Sequence, residues 1–412
     1  MRLHGCGGRV RRATAGGGSR GKRWRGGLAA VAVLAAVAAA GCSGSSSPKA
    51  SGSSGPGGLV TPGGNGGPSG SGGLVTPGAS ATPAVPGGEP EGSGSRSGVT
   101  GGALFGGDLP LVPETGKLGR RLAIVRAYFR FGQKFPNAQA AAAMRAGGTV
   151  LASLDSVPGK GEGSYASIAA GQHDATILSF LQQEQRAAVS HHLGAIYFCF
   201  EHEANGAPHR SLGTPAQFVQ AWDHIRRLAA SAHLLWNQGG RIHFVLILTH
   251  IAFRSMTGRP QWANRMGQAS SYFPGANEVD IVAADGYNHG GCKSAGAGAL
   301  AGVSAGSRAV TPGFLFDSVV SFARSHGGLP VFIAEWGSQV YTGSSEQAVF
   351  ISQMRAFVSA NREVAAALYW NSHSRQNRGC SSSVNNEPAS LAALAAMGHS
   401  PGLQGHLVPP PR

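Results

Sequence analysis

Beyond residue 100 the chain settles into one repeating rhythm: a short apolar run, a turn, then a helical pattern. The apolar runs lie at 121–129, 148–154, 194–200, 242–249, 279–284, 329–334 and 364–370. They are rich in β-branched, aromatic and small apolar residues, which predicts strands buried on both faces. Helical patterns fill the intervals near 137–146, 174–190, 215–237, 313–326, 345–360 and 388–398. Thr214-Pro215 and Thr311-Pro312 have the form of helix starts, a capping hydroxyl followed by a first-turn proline. Alternating strand and helix requires a parallel sheet. An eighth candidate strand at 102–107 makes a single-domain (β/α)8 TIM barrel over 101–400 the expected fold. Its weak point is the first unit, because 108–120 offers no good helix. An open doubly wound sheet is the alternative, but it would normally carry a Gly-x-Gly-x-x-Gly or P-loop after the first strand, and neither stands there.

The first hundred residues cannot build a core. Residues 2–25 hold eight Lys/Arg and no acid, and Leu28–Ala40 is an apolar run of 13, short for a bilayer span. Ala39-Ala40-Gly41-Cys42 follows, so 1–41 resembles a lipoprotein signal peptide with Cys42 as the lipidated residue. The alternative is an ordinary secretory signal. Residues 42–100 are dominated by Gly, Ser and Pro and repeat Gly-Gly-Leu-Val-Thr-Pro-Gly at 57–63 and 72–78. Such a composition is expected to form a disordered tether. Residues 401–412 are expected to be a flexible tail. The implied location is the outer face of the cell membrane, or free secretion, and the implied state is a monomer.

Removing the eight basic residues of 2–25 from the formal +15 leaves +7. No Lys/Arg cluster interleaves with aromatics, which argues against a nucleic-acid partner. Cys199 falls in a core strand as a buried thiol, while Cys292 and Cys380 lie in loops and form a candidate disulfide in an exported protein. No Cys or Cys/His spacing points to zinc, and no metal or organic cofactor is expected.

Two of the strands end on a carboxylate. Residues 194–200 run into Glu201-His202-Glu203-Ala204-Asn205-Gly206, and 329–334 run into Glu335-Trp336-Gly337. In barrel order these are strands four and seven, on opposite sides of the mouth, where barrel enzymes place their chemistry. Two carboxylates facing one another are what glycoside hydrolysis needs. Glu201 is expected to face away from Glu203 or to pair with a basic residue. Asn386-Glu387-Pro388 is set aside as a site because Pro388 opens the last helix, and Asp285 is expected to bond within its loop.

His202-Glu203-Ala204-Asn205-Gly206, then Asp285-Gly286-Tyr287-Asn288, then Glu335-Trp336-Gly337 resemble, in order, the motifs of family 26 glycoside hydrolases, β-mannanases and their relatives. The resemblance spans about 100–400. It implies a retaining double displacement on a β-linked polysaccharide, with Glu203 as acid/base and Glu335 as nucleophile. His202 would hold a sugar hydroxyl, Tyr287 would hydrogen-bond the nucleophile, and Trp370 would form the floor under the sugar. Asn205 and Trp336 complete the expected sugar-binding set. Family members carry tryptophans after the acid/base motif, whereas this chain continues Ala207-Pro208-His209-Arg210. That change points to a more polar, acidic glycan. It also leaves room for a non-catalytic carbohydrate-binding or cell-wall-associated surface lipoprotein on the same scaffold.

Overall fold

The computed structural model describes residues 96–156, 163–255, 267–289, 310–341, 345–372 and 381–411. The signal segment, residues 42–95 of the expected tether, Cys292 and Cys380 lie outside these residues, whereas 96–100 are ordered, with Val99 opening the first strand of the barrel. Among the described residues no helix is long and apolar enough to cross a membrane.

Eight parallel strands close on themselves. They are β1 (Val99–Asp108), β2 (Ile124–Arg130), β3 (Thr149–Asp155), β4 (Ile196–Phe200), β5 (Ile242–Thr249), β6 (Ile281–Asn288), β7 (Val331–Ser338) and β8 (Val364–Tyr369). Each pairs with its sequence neighbours, and β1 closes the ring by pairing with both β2 and β8. This is the expected TIM barrel. The helices on its outside include α1 (Ala138–Arg145), α2 (Asp174–Ser190), α3 (Pro215–Ser231), α4 (Pro312–Ser325), α5 (Glu346–Ala360) and α6 (Pro388–Gly398). The hydroxyls of Thr214 and Thr311 accept from the backbone N–H of Gln217 and Phe314, so both expected helix starts are real caps. Glu387 stands at the entrance to α6.

Strand alternation sorts the apolar side chains into two cores. On β4, Tyr197 and Cys199 point inward, like Ala195 just before it, and pack with Leu151, Val245 and Ile247. Ile196, Phe198 and Phe200 point outward, against the helices. A buried side chain of this size stabilises by about 1.5–3 kcal/mol. The polar groups that converge on Glu335 gather at the mouth, toward the C-terminal ends of the strands.

The first unit lacks a full helix, as expected, while the C-terminal segment departs from expectation. The 108–120 stretch folds as a 3-10 turn, Leu109–Glu114, and a single helical turn, Thr115–Leu118. Residues 401–407 are not a loose tail. Pro401–Leu403 forms a 3-10 turn and Gln404–Leu407 a ninth strand, β9, antiparallel to β1. Leu407 and Val408 pack against the inner core, and Val408 N–H donates to Gly98 O at 2.9 Å. The alternating Leu403, Gly405 and Leu407 are what that edge requires.

One irregularity in the sheet matters for the site. Ile333 pairs with Ala284 on one side and Ala367 on the other, whereas Glu335 pairs with Asp285 and Trp336 with Tyr369. β7 therefore holds one extra residue at Ala334. Phe332 and Ala334 belong to the inner core, and Trp336 to the outer one. The bulge turns Glu335 into the barrel as well, on the side that strict alternation would deny it.

Candidate active site

Glu335 is almost fully buried at the barrel mouth, and three side chains converge on its carboxylate. Tyr287, from the end of β6, donates its phenolic hydrogen to Oε2. Arg126 Nε, from β2, stands 3.6 Å from Oε1, and His202 Nε2 stands 3.4 Å from the same oxygen. Burial pushes the Glu335 carboxyl up to about 7, with the Arg126 cation pulling the other way.

Arg126 is an interior cation in a strand otherwise apolar on this side. Its guanidinium donates to the carbonyls of Leu151 at 3.1 Å and Ala127 at 3.3 Å, and to Ser153 Oγ at 2.8 Å. It also lies 4.3 Å from the centre of the Tyr128 ring. Its remaining contact is with His202 Nδ1 at 2.8 Å. A guanidinium can only donate, so Nδ1 accepts and the imidazole hydrogen sits on Nε2. That hydrogen faces Glu335 and Asp285 Oδ2, the latter at 3.3 Å. Burial and then the Arg126 charge hold the His202 pKa well below its usual value, so the ring is neutral.

β6 contributes two groups two residues apart, Asp285 and Tyr287, on one face of the strand. Gly286 between them faces outward, where an added Cβ would lie 2.9 Å from the ring of Phe316. Burial, then the charge of Glu203, raises the Asp285 carboxyl well above the carboxylate range. Asp108, at the end of β1, is raised in the same way by burial.

Glu203 arrives by an unusual route. β4 stops at Phe200, and Glu201 and Glu203 both take left-handed backbone, each with φ of 53°. A side chain in that region costs roughly 1–2 kcal/mol. The turn is held by His202 N–H donating to Asp155 Oδ1 at 3.0 Å and Gly206 N–H donating to Glu203 O at 2.7 Å. It brings donor atoms of His202, Glu203 and Asp285 within 4.8 Å of one another. This trio has the ligand types of a metal site, but its protons do not suit one. A cation on Nε2 would drive the imidazole hydrogen to Nδ1, against the Arg126 guanidinium.

No family model and no curated protein matches the chain. Solved structures do. The chain is similar to an endo-β-1,3-glucanase of glycoside hydrolase family 128 from Amycolatopsis mediterranei, in complex with laminaritriose. That likeness is 15% identical, has a TM-score of 0.37, and covers 72% of this chain and 100% of that one. It is similar to the Bacillus subtilis mannanase man26 at 13% identity and TM-score 0.41, covering 70% and 84%. It is also similar to a Bacteroidetes-affiliated family 5 cellulase at 13% identity and TM-score 0.46, covering 76% and 96%. Family 26 is one of several glycoside hydrolase families among these likenesses.

The structure gathers Glu203, Glu335, His202 and Tyr287 at the mouth. Trp370 follows the inward positions Ala366 and Leu368 of β8, is half-buried, and meets the Tyr128 ring edge-on at 5.9 Å. Two members of the expected sugar-binding set are elsewhere. Trp336 is fully buried in the outer core, edge-on to Tyr369, because the Ala334 bulge turns it outward. Asn205 is buried with its amide spent on Thr249, Nδ2 to Oγ1 at 2.8 Å and Oδ1 from the backbone N–H at 3.0 Å, tying the ends of β4 and β5 together. Asp285 is a mouth residue and not merely a loop hydrogen-bonder. Glu201 does pair with a basic residue, His209, so His209 Nδ1 is engaged by the protein rather than by a glycan. The residues that sequence reasoning missed are Arg126, Tyr128, Asp155 and Asp108. A lone arginine inside an apolar strand was the available signal for the first.

Proposed function

We propose that the protein is a retaining glycoside hydrolase that cleaves a β-linked polysaccharide of the mannan or glucan type from within the chain. The observation that carries this reading is Glu335: a buried carboxylate turned into the barrel by a bulge and flanked by the Tyr287 phenol and the Arg126 cation. These are the surroundings of a nucleophile. Tyr287 and Arg126 steady its charged form before attack. They also stabilise it again as the leaving carboxylate when the glycosyl ester breaks.

In the first displacement Glu335 attacks the anomeric carbon while Glu203 protonates the departing glycosidic oxygen. In the second, Glu203 takes a proton from water, which attacks the same carbon and frees Glu335. His202, neutral with its hydrogen on Nε2, donates between the two carboxylate sites to a sugar hydroxyl or to Glu335. Burial and then the Glu203 charge push the Asp285 carboxyl toward its neutral form, and it adds a hydrogen-bonding group beside Glu203. Trp370 offers its half-buried ring as the platform for the sugar. Lipidation at Cys42 and the Gly/Ser/Pro tether would hold this domain at the outer membrane face.

The test is reducing-sugar release by the full chain from β-mannan, β-glucan, β-xylan and acidic polysaccharides, beside Glu335→Gln and Glu203→Gln. Turnover lost in both variants supports the reading. Binding of one polymer without turnover would replace it with a carbohydrate-binding role.

A further inference from the structure

Glu201 is a buried carboxylate that the proposed mechanism does not use. Its side chain has no solvent exposure, and each oxygen has one partner. Oε1 accepts the backbone N–H of Ser156 at 2.7 Å, just beyond the end of β3. Oε2 meets His209 Nδ1 at 3.0 Å, in the 3-10 turn Ala207–Ser211 that follows β4. The carboxylate thus ties together the connections on either side of the Glu201-His202-Glu203 turn. That turn has left-handed backbone at both of its glutamates. Strain of this kind persists only where the surroundings over-determine it.

We propose that the Glu201–His209 pair is a positioning clamp, holding the strained turn so that His202 and Glu203 stay presented to Glu335. The inference rests on the glycosidase reading for its consequence, though not for its geometry. Glu201 is a positioning residue, since it acts through the backbone of its neighbours. The clamp is also sensitive to pH. Glu201, Asp155 and Glu203 all face His209 with negative charge and raise its pKa against the opposing effect of burial. The His209 charge also reaches His202 and opposes its protonation, and the buried Tyr165 faces Glu201. Protonated His209 is the tighter partner, so the clamp loosens as pH rises through that raised value.

Hydrogen exchange on the full chain tests this without any assay of activity. In Glu201→Gln, and in His209→Asn at a partly exposed position, amides of 200–206 should exchange about tenfold faster while the other strands keep their protection. The wild type should show the same loosening at higher pH, and His209→Asn should not vary with pH once the intrinsic rate is removed. Against a hydrolysed glycan, kcat should fall roughly 10- to 100-fold with KM changed much less, as expected for a displaced acid/base. Unchanged exchange in both variants overturns the clamp, whatever the activity. Faster exchange with undiminished kcat overturns its positioning role. A wild type inactive on every glycan defeats the hydrolase reading instead, and exchange alone then decides the clamp.

Discussion

The phenol of Tyr287 donates to Oε2 of Glu335 across the β6–β7 boundary, from a strand that pairs with β7 through the bulged register. The bond favours the charged carboxylate, so Tyr287→Phe should cut kcat by roughly 100-fold with little change in KM. It should also move the acid limb of the rate profile to higher pH. Steady-state kinetics across pH 5 to 9 checks both, and an unaltered profile would mean that Tyr287 only fills space.

Arg126 sets the other half of the same balance. With Glu335 raised to about 7, the proposed nucleophile becomes charged as pH rises through neutrality, so kcat/KM should climb across that range. Arg126→Gln removes the cation that lowers the value, and the limb should move further toward alkaline pH. Arg126→Lys keeps the charge and should stay closer to the wild-type limb. Identical limbs in the two variants would show that the cation does not act on Glu335.

The eight strands and the six long helices were legible because each announces itself within its own residues. What escaped notice depends on relations between segments. Trp336 follows a conspicuous strand-end glutamate and looks like a sugar platform, but a single inserted residue, Ala334, exchanges the inside for the outside. Nothing in Ala-Glu-Trp announces that bulge; it appears only when Ile333 and Glu335 are counted against Ala284 and Asp285. Glu201 and Glu203 lie two apart, and strand alternation misjudged how they separate because the strand had already ended. Left-handed backbone at a glutamate has no local signal of the kind that Asn or Gly would give. Arg126 could have been found, since a charge in an apolar strand needs partners.

Burial of Glu335 carries a stability cost of definite sign. Its folded pKa, about 7, lies above the usual carboxyl value, so folding favours the protonated form. The associated stability is fully present below the unfolded pKa and is lost as pH rises to about 7. One pKa unit is about 1.4 kcal/mol, so the loss is of order 3 kcal/mol. Glu335→Gln should therefore remove activity yet melt at higher temperature than wild type at pH 8, with the gap closing near pH 4. Glu184, buried on α2 with both oxygens unpartnered and its pKa raised by burial, adds a loss of the same sign. Glu184→Gln should raise the melting temperature at pH 8 without touching kcat. Melting curves for the two variants that coincide with wild type at pH 8 would refute the assignment.

Gly286 separates the two β6 site residues, and its back lies against the Phe316 ring of α4. A methyl group there needs the ring to move, and Phe316 is fully buried among the helices. Gly286→Ala should cost about 1–3 kcal/mol from overpacking. The displacement should also reach Asp285 and Tyr287, which share the strand, so activity should fall along with stability. Phe316→Leu frees space at the same point and should restore most of both in the double variant, although alone it destabilises. Rescue of stability without activity would mean that the loss of activity does not come from the clash with Phe316. Failure to rescue either would mean that another contact of the added methyl, such as His250 Nδ1 at 3.3 Å, and not the clearance to Phe316, is what matters.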